Sequence, residues 1–154
     1  TVEELLKNEK MKISLKIHPS TASKIEYKKI LEPFKKNVQL YQKENLIELL
    51  EQNDAMITYG ASMVTLFGVL LKKPVIFLDV FDKIENLNFF FDKDVITPCK
   101  NLNEISLKIS NSINRKIDEE CYKKYIRKKL GNFDGKSSQR ASNAIFEIIG
   151  KLKQ

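Results

Sequence analysis

Tryptophan is absent from the 154 residues, histidine occurs once and cysteine twice. Zinc sites built on two or four cysteines need Cys or His ligands at short spacing, and neither Cys99 nor Cys121 has one, so no metal site is predicted. The same scarcity excludes a disulfide scaffold and favours two unlinked thiols in a reducing, cytoplasmic setting. With only 5 Gly and 4 Pro, collagen-like and low-complexity architectures are excluded as well. The longest apolar stretch, residues 61–71, is about half of the ~20 residues a bilayer span needs and runs into Lys72 and Lys73. Neither Gly-x-x-x-x-Gly-Lys-Ser/Thr nor Gly-x-Gly-x-x-Gly occurs, which removes the Walker and dinucleotide loops. A single histidine also leaves no set of Ser/His/Asp or Cys/His partners to match to a motif nucleophile. The opening Thr1-Val2-Glu3-Glu4-Leu5-Leu6 has neither an initiator Met nor a basic-then-apolar signal segment, and a piece of a longer protein is expected.

What is present is an ordinary globular mixture, 42% hydrophobic and 31% charged, of a length that predicts one compact domain over residues 1–154. Lys and Arg number 27 against 20 Asp and Glu, a balance of +7 that favours anionic partners. The lysines are scattered over helix faces, and the aromatics do not interleave with arginine as on a base-stacking platform, so no specific nucleic-acid partner is expected.

Short runs rich in β-branched residues alternate with stretches of helical period, the pattern of βαβ units and a parallel sheet. A helix is predicted over Val2 to Lys10, then strands at Ile13 to Ile17 and Asn37 to Tyr41. A short helix follows from Glu44 to Gln52, then a strand from Asp54 to Tyr59 that Gly60 ends. Ser62 to Lys72 reads as a nearly all-apolar helix and Pro74 to Asp79 as a buried strand. Phe81 to Lys93 is irregular, with Phe89, Phe90 and Phe91 folded onto the core, and Val95 to Pro98 is a fifth strand. The remainder is helical: a stripe of Leu102, Ile105, Ile109 and Ile113, then Asp118 to Leu130, then Ser137 to Leu152, the last two separated by a turn at Gly131 to Gly135. The fold class expected is α/β: a Rossmann-like three-layer α/β/α sandwich with about five parallel strands and C-terminal helices.

Ligands of such sheets bind beyond the carboxyl ends of the strands, where helix N-termini offer unpaired N–H groups. Three places satisfy that rule. His18, Pro19 and Ser20 close the first strand, and the imidazole there can donate to a phosphate oxygen or serve simply as a structural histidine. Gly60, Ala61, Ser62 and Met63 form a turn into a helix, where Gly allows close backbone approach and Ser62 can cap the helix beside an incoming anion. Ser137 and Ser138 open the last helix after Asp134-Gly135-Lys136, with Lys136 and Arg140 as neighbouring cations; a plain helix start is the simpler alternative. Glu44 and Glu48, four apart on the short helix, are expected on a solvated face.

Read in order, Lys16-Ile17-His18-Pro19, Asn37-Val38, Leu46 to Leu50, Asp54 to Thr58, Gly60-Ala61-Ser62 and Lys73-Pro74-Val75-Ile76 resemble the C-terminal half of GT-B-fold transferases. The likeness is to the capsule-polysaccharide and CDP-glycerol glycerophosphotransferase group, relatives of the UDP-N-acetylglucosamine 2-epimerases. Asp134-Gly135-Lys136-Ser137-Ser138-Gln139-Arg140 is similar to the tail motif of that group, so the resemblance covers about residues 12 to 150. It implies that His18 and Ser62 hold nucleotide phosphates in the donor-binding half of a two-domain glycosyltransferase or glycerophosphotransferase of surface-polysaccharide synthesis. The donor is a CDP- or UDP-linked sugar or polyol, used as a substrate with no further cofactor and no metal. The resemblance further implies an N-terminal acceptor domain outside this chain, an isolated half that is inactive, and a cytoplasmic location that includes the inner face of an anionic membrane. Met63 stands where the group carries a second Ser or Thr, Phe67 where it carries a Glu, and Lys72 where it carries a Gly. Two alternatives remain at this point: a 2-epimerase-like half domain, and a non-catalytic doubly wound regulatory module, for which Asp79 and Asp82 supply too few acids at a strand end to form a receiver site.

Overall fold

The structure, a computed structural model, describes residues 2–8, 10–20, 24–59, 62–79, 91–132 and 134–152. The chain divides into two compact units, residues 1–117 and 118–154.

The first unit is mixed α/β. Helix α1 (Val2–Leu6) is shorter than expected, because Asn8 ends it: its carbonyl accepts from the Met11 N–H and its side chain from the Lys10 N–H. Strand β1 (Ile13–Lys16) pairs in parallel with β2 (Val38–Tyr41), Ile13 lying opposite Val38. A parallel pair needs a crossover, and α2 (Lys24–Leu31) with a 3-10 turn at Glu32–Phe34 supplies it. The sequence reading assigned no helix there. Only Leu31 of α2 is buried, while Ile25 and Ile30 are 69% and 68% exposed among lysines, so the helical period was masked.

Helix α3 (Leu46–Glu51) begins at Asn45, whose side chain accepts from the Ile47 N–H. It leads to β3 (Met56–Tyr59), which pairs in parallel with β4 (Val75–Leu78), and β4 pairs with β5 (Thr97–Cys99). Among the described residues the architecture is therefore two small parallel sheets, of two and three strands. Val75, Ile76 and Phe77 of the central strand β4 are almost fully buried, as a strand covered on both faces requires. Phe91 packs edge-on against Phe77, centroids 5.8 Å apart, as expected for that aromatic; Phe89 and Phe90 lie outside the described residues.

The fifth strand is displaced from its expected place. The Asp92 carbonyl accepts from both Val95 and Ile96 N–H and its carboxylate from Asp94 N–H, holding those residues in a turn. The ladder starts only at Thr97 and includes Pro98, which an edge strand tolerates because it need not donate on its outer side.

Helix α4 (Val64–Leu70) lies close on β3 and β4 at Gly68, where a Cβ would sit 2.7 Å from Met56 Sδ and 2.8 Å from Val75 Cγ2. It ends in a Schellman motif: Lys72 N–H donates to Val69 O, Lys73 N–H to Gly68 O, and Lys72 takes a left-handed φ of 52°. Helix α5 (Ile105–Asn114) buries Ile105, Ile109 and Ser112, whose hydroxyl is 2.9 Å from that of Thr97. Ile113, expected on this stripe, is 47% exposed, because the buried line turns to Ser112. Leu5, Ile76, Cys99, Ile105 and Ile109 form a core cluster on which Ile13 of β1 and Ile57 of β3 both pack.

The second unit holds α6 (Glu119–Leu130) and α7 (Ser137–Leu152). Asp118 caps α6 through the Cys121 N–H, acids fill its first turn and Arg127, Lys128 and Lys129 its last, as the helix dipole favours. Gly131 and Gly135 take positive φ in the turn between the helices. On α7 the apolar residues Ile145, Phe146, Ile148 and Ile149 are exposed.

Candidate functional site

Parallel pairing puts the loops after β1 and β2 side by side, and polar contacts then tie those loops together. Ile17 N–H donates to Tyr41 O, continuing the ladder one residue past β1. Lys16 Nζ donates to the carbonyls of Gln42 and Glu44 at 2.8 and 2.9 Å, and Gln42 Nε2 donates to Pro19 O. Glu44 is not on α3 beside Glu48 as expected. It precedes the helix, and its carboxylate accepts from the Gln42 N–H at 2.6 Å. The backbone N–H groups of Glu44 and Gln42 hold that carboxyl below the usual carboxylate range.

On this platform stand His18, Pro19 and Ser20. The Ser20 N–H donates to His18 Nδ1 at 3.2 Å, and the Ser20 hydroxyl lies 2.6 Å from the same nitrogen. A backbone N–H can only donate, so Nδ1 carries the lone pair and the neutral ring has its proton on Nε2. The ring is exposed, and Nε2–H is available as a donor whose direction is set by Ser20.

The second group follows β3. Gly60 and Ala61 lie outside the described residues. Ser62 was expected to cap α4. The structure instead places the N-cap at Met63, which makes no side-chain cap bond, and Ser62 stands one residue earlier. Its Oγ accepts from the Val64 N–H at 3.3 Å and its carbonyl from the Thr65 N–H at 3.1 Å. The Ser62 hydroxyl therefore steadies the first turn while its own proton stays available for donation. Met63 and Phe67 are 55% and 39% exposed on the same face of α4, so the position where a carboxylate was looked for presents a ring. Among the described residues no hydrogen bond or ion pair joins the His18 loop to the Ser62 turn, although both sit past the carboxyl ends of parallel strands in one unit.

Ser137 and Ser138 open α7 in the second unit. Arg140, the neighbouring cation expected there, is occupied locally. Its Nη1 lies 2.9 Å from both Asp134 carboxylate oxygens, and its Nη2 donates to Asn132 O and Ser137 Oγ. The Lys136 N–H and Arg140 hold the Asp134 carboxyl below its usual range. These contacts explain the Asp-Gly-Lys-Ser-Ser-Gln-Arg segment as a self-bracing turn.

One residue that sequence reasoning set aside is Asp79, 5% exposed at the end of β4. Its N–H donates to Cys99 O, and its carboxylate lies 3.8 Å from the exposed ammonium of Lys100. The signal was present: an acid closing an all-apolar central strand stands at the end of the sheet where ligands bind. Cys99 and Cys121 are both thiols, and burial pushes the Cys99 thiol up. A water-sized cavity of about 20 Å³ at Pro74, Val75 and Thr97 belongs to the amino end of β4 and includes neither His18 nor Ser62. Among the described residues no helix is long and apolar enough to cross a membrane.

Comparison of the chain with protein-family models, with curated proteins and with solved structures found no match.

Proposed function

We propose that the chain binds the nucleotide diphosphate part of an activated sugar or polyol, as one half of a glycosyltransferase or glycerophosphotransferase of surface-polysaccharide synthesis. The observation that carries this reading is the His18 ring. It stands past the carboxyl end of a parallel strand with Nδ1 engaged by Ser20 and Nε2–H left to donate. A neutral donor aimed from a strand end can hold a phosphate oxygen and stabilise charge as the leaving phosphate departs. In this reading the two sheets are parts of one five-stranded Rossmann-like sheet, supported by the packing of Ile13 and Ile57 on a common cluster. Ser62 supplies a second hydroxyl donor beyond β3. The acceptor site and any base belong to a partner domain, and the full enzyme is cytoplasmic, a location that includes the inner face of an anionic membrane.

Only one wall of the cleft is supplied, so CDP or UDP should bind with a dissociation constant on the order of 1 mM. At about 10 mM ligand the linkage gain is roughly 1.4 kcal/mol, which raises the melting temperature by about 3 to 6 °C. His18→Ala and Ser62→Ala should each abolish that shift, while Glu48→Ala, on the exposed side of α3, should leave it intact. A shift with inorganic phosphate or a purine nucleotide but none with pyrimidine diphosphates defeats the donor reading. A full shift in both variants defeats the site.

A further inference from the structure

The opposite end of the β1–β2 pair carries a different feature. A cleft of about 430 Å³ opens at the amino ends of the two strands, bounded by Lys12, Lys35, Lys36 and the amides of Asn37, Gln39 and Gln52. Its size is within the range of pockets that hold small ligands, about 300–1,000 Å³. Three features of its wall narrow the ligand.

First, three lysines line it and, among the described residues, no acidic residue does. Lys35 is paired with Glu32 at 2.6 Å, which stands outside the wall. Among the described residues Lys12 and Lys36 have no ion pair, and a concave surface with one sign of charge concentrates the field of those two. Second, apart from Ile13 and Val38 the rest of the lining is polar. Register places Ser14 beside Gln39, both exposed, and the turn from Gln52 to Asn53 ends α3 at the same rim. Third, hydrogen bonds hold parts of the wall in place. Asn37 Nδ2 donates to Met11 O, Asn53 Nδ2 to Leu49 O, and Ile13 N–H to Asn37 O. Among the described residues the side chains of Lys12, Ser14, Lys36, Gln39 and Gln52 line the cleft without a hydrogen bond or ion pair of their own, which leaves them to a ligand.

We infer that this cleft binds a phosphate-bearing anion of more than one negative charge, with Lys12 and Lys36 on the phosphate oxygens and Gln39 and Gln52 on hydroxyl groups beside them. Two sources share that chemistry, a short inorganic polyphosphate and a phosphorylated carbohydrate. The site is independent of the nucleotide reading, since it uses none of His18, Ser20 or Ser62 and lies at the other end of the strands.

The test is a titration of the whole chain with tripolyphosphate and, separately, with glucose 6-phosphate, followed by amide chemical shifts. The largest changes are expected at Ser14, Gln39 and Asn53. Lys12→Ala/Lys36→Ala should weaken binding at least about tenfold, as the loss of two charge-assisted contacts requires. Lys116→Ala/Lys128→Ala, which removes the same charge elsewhere, should leave it within about twofold. Gln39→Ala should weaken glucose 6-phosphate and spare tripolyphosphate if the carbohydrate is the source, and should leave both unchanged if polyphosphate is. Equal weakening by the two lysine pairs would show a general surface field and overturn the site. Absence of binding overturns it too, and so does a single-stranded oligonucleotide that displaces both probes in a manner dependent on Lys12 and Lys36, which would assign the cleft to nucleic acid. Failure here leaves the pyrimidine-diphosphate shift and its dependence on His18 untouched.

Discussion

The two sheets of the first unit are held by different forces. In the three-stranded sheet, Val75, Ile76 and Phe77 are 1%, 0% and 1% exposed, and helices α4 and α5 press onto them. In the two-stranded sheet β1 contains no buried residue and β2 only Val38, and the segments at its carboxyl ends are joined by Lys16 and Gln42 through hydrogen bonds. Apolar burial of a whole side chain contributes about 1.5–3 kcal/mol, whereas a hydrogen bond contributes about 0.5–1.5 net. One sheet therefore carries the stability, and the other is free to place polar groups at both of its ends. The candidate histidine and the lysine cleft both belong to the second kind.

The sharpest way to break that contrast is to cut equal volume from each sheet. Ile76→Ala should lower the unfolding free energy by about 2–5 kcal/mol, while Leu40→Ala, at a half-buried position of β2, should cost well under half as much. Urea denaturation measures both. Equal losses would mean that the β1–β2 pair is as much a part of the core as β4.

A smaller effect separates the second unit from the first. The Cys121 N–H holds the Asp118 carboxyl below its usual range, and the Lys136 N–H with Arg140 does the same for Asp134. A depressed carboxyl stabilises above its unfolded pKa and loses that contribution as pH falls through the folded value. Residues 118–154 should therefore lose helicity below about pH 4, ahead of the β4 amides in hydrogen exchange. Asp118→Asn with Asp134→Asn should flatten that loss. An unchanged acid transition in the double variant would place the acid-sensitive groups elsewhere.

The smallest effect is a gain. Lys72 holds a left-handed φ at the C′ position of α4, where glycine is unstrained. Lys72→Gly should stabilise the three-stranded sheet by about 0.5–1 kcal/mol without moving the β1–β2 amides. A loss of stability would show that the Lys72 side chain contributes more than its backbone costs.

Strands were the most legible part of the chain. Runs rich in β-branched and apolar residues located β1 to β4 within a residue or two, and most plainly β4, where burial on both faces leaves the continuous apolar signature Val75 to Leu78. Elements that bury little left no such mark: α2 hides Leu31 among lysines, and β5 is delayed by the Asp92 turn, which depends on one side chain. The site was legible at the level of residues and not of partners. His18 is a candidate by its strand end alone, but the Ser20 contact that sets its tautomer comes from loop geometry, and the pairing of Arg140 with Asp134 comes from the turn that brings them together. Asp79 is one of two strand-end acids in the sequence and is set aside there because a receiver site needs more of them.

Gly68 has a consequence that extends to descent. Since the hydrogen at its Cα faces Met56 Sδ and the Val75 methyl, these three positions form one steric unit spread over β3, α4 and β4. A methyl group at 68 becomes tolerable only when both 56 and 75 give way, and a large residue at either requires glycine to stay. Variation at the three sites is thus coupled in any lineage that keeps this helix on these strands. A sequence with alanine at 68 beside an unaltered methionine and valine would signal that α4 has moved outward.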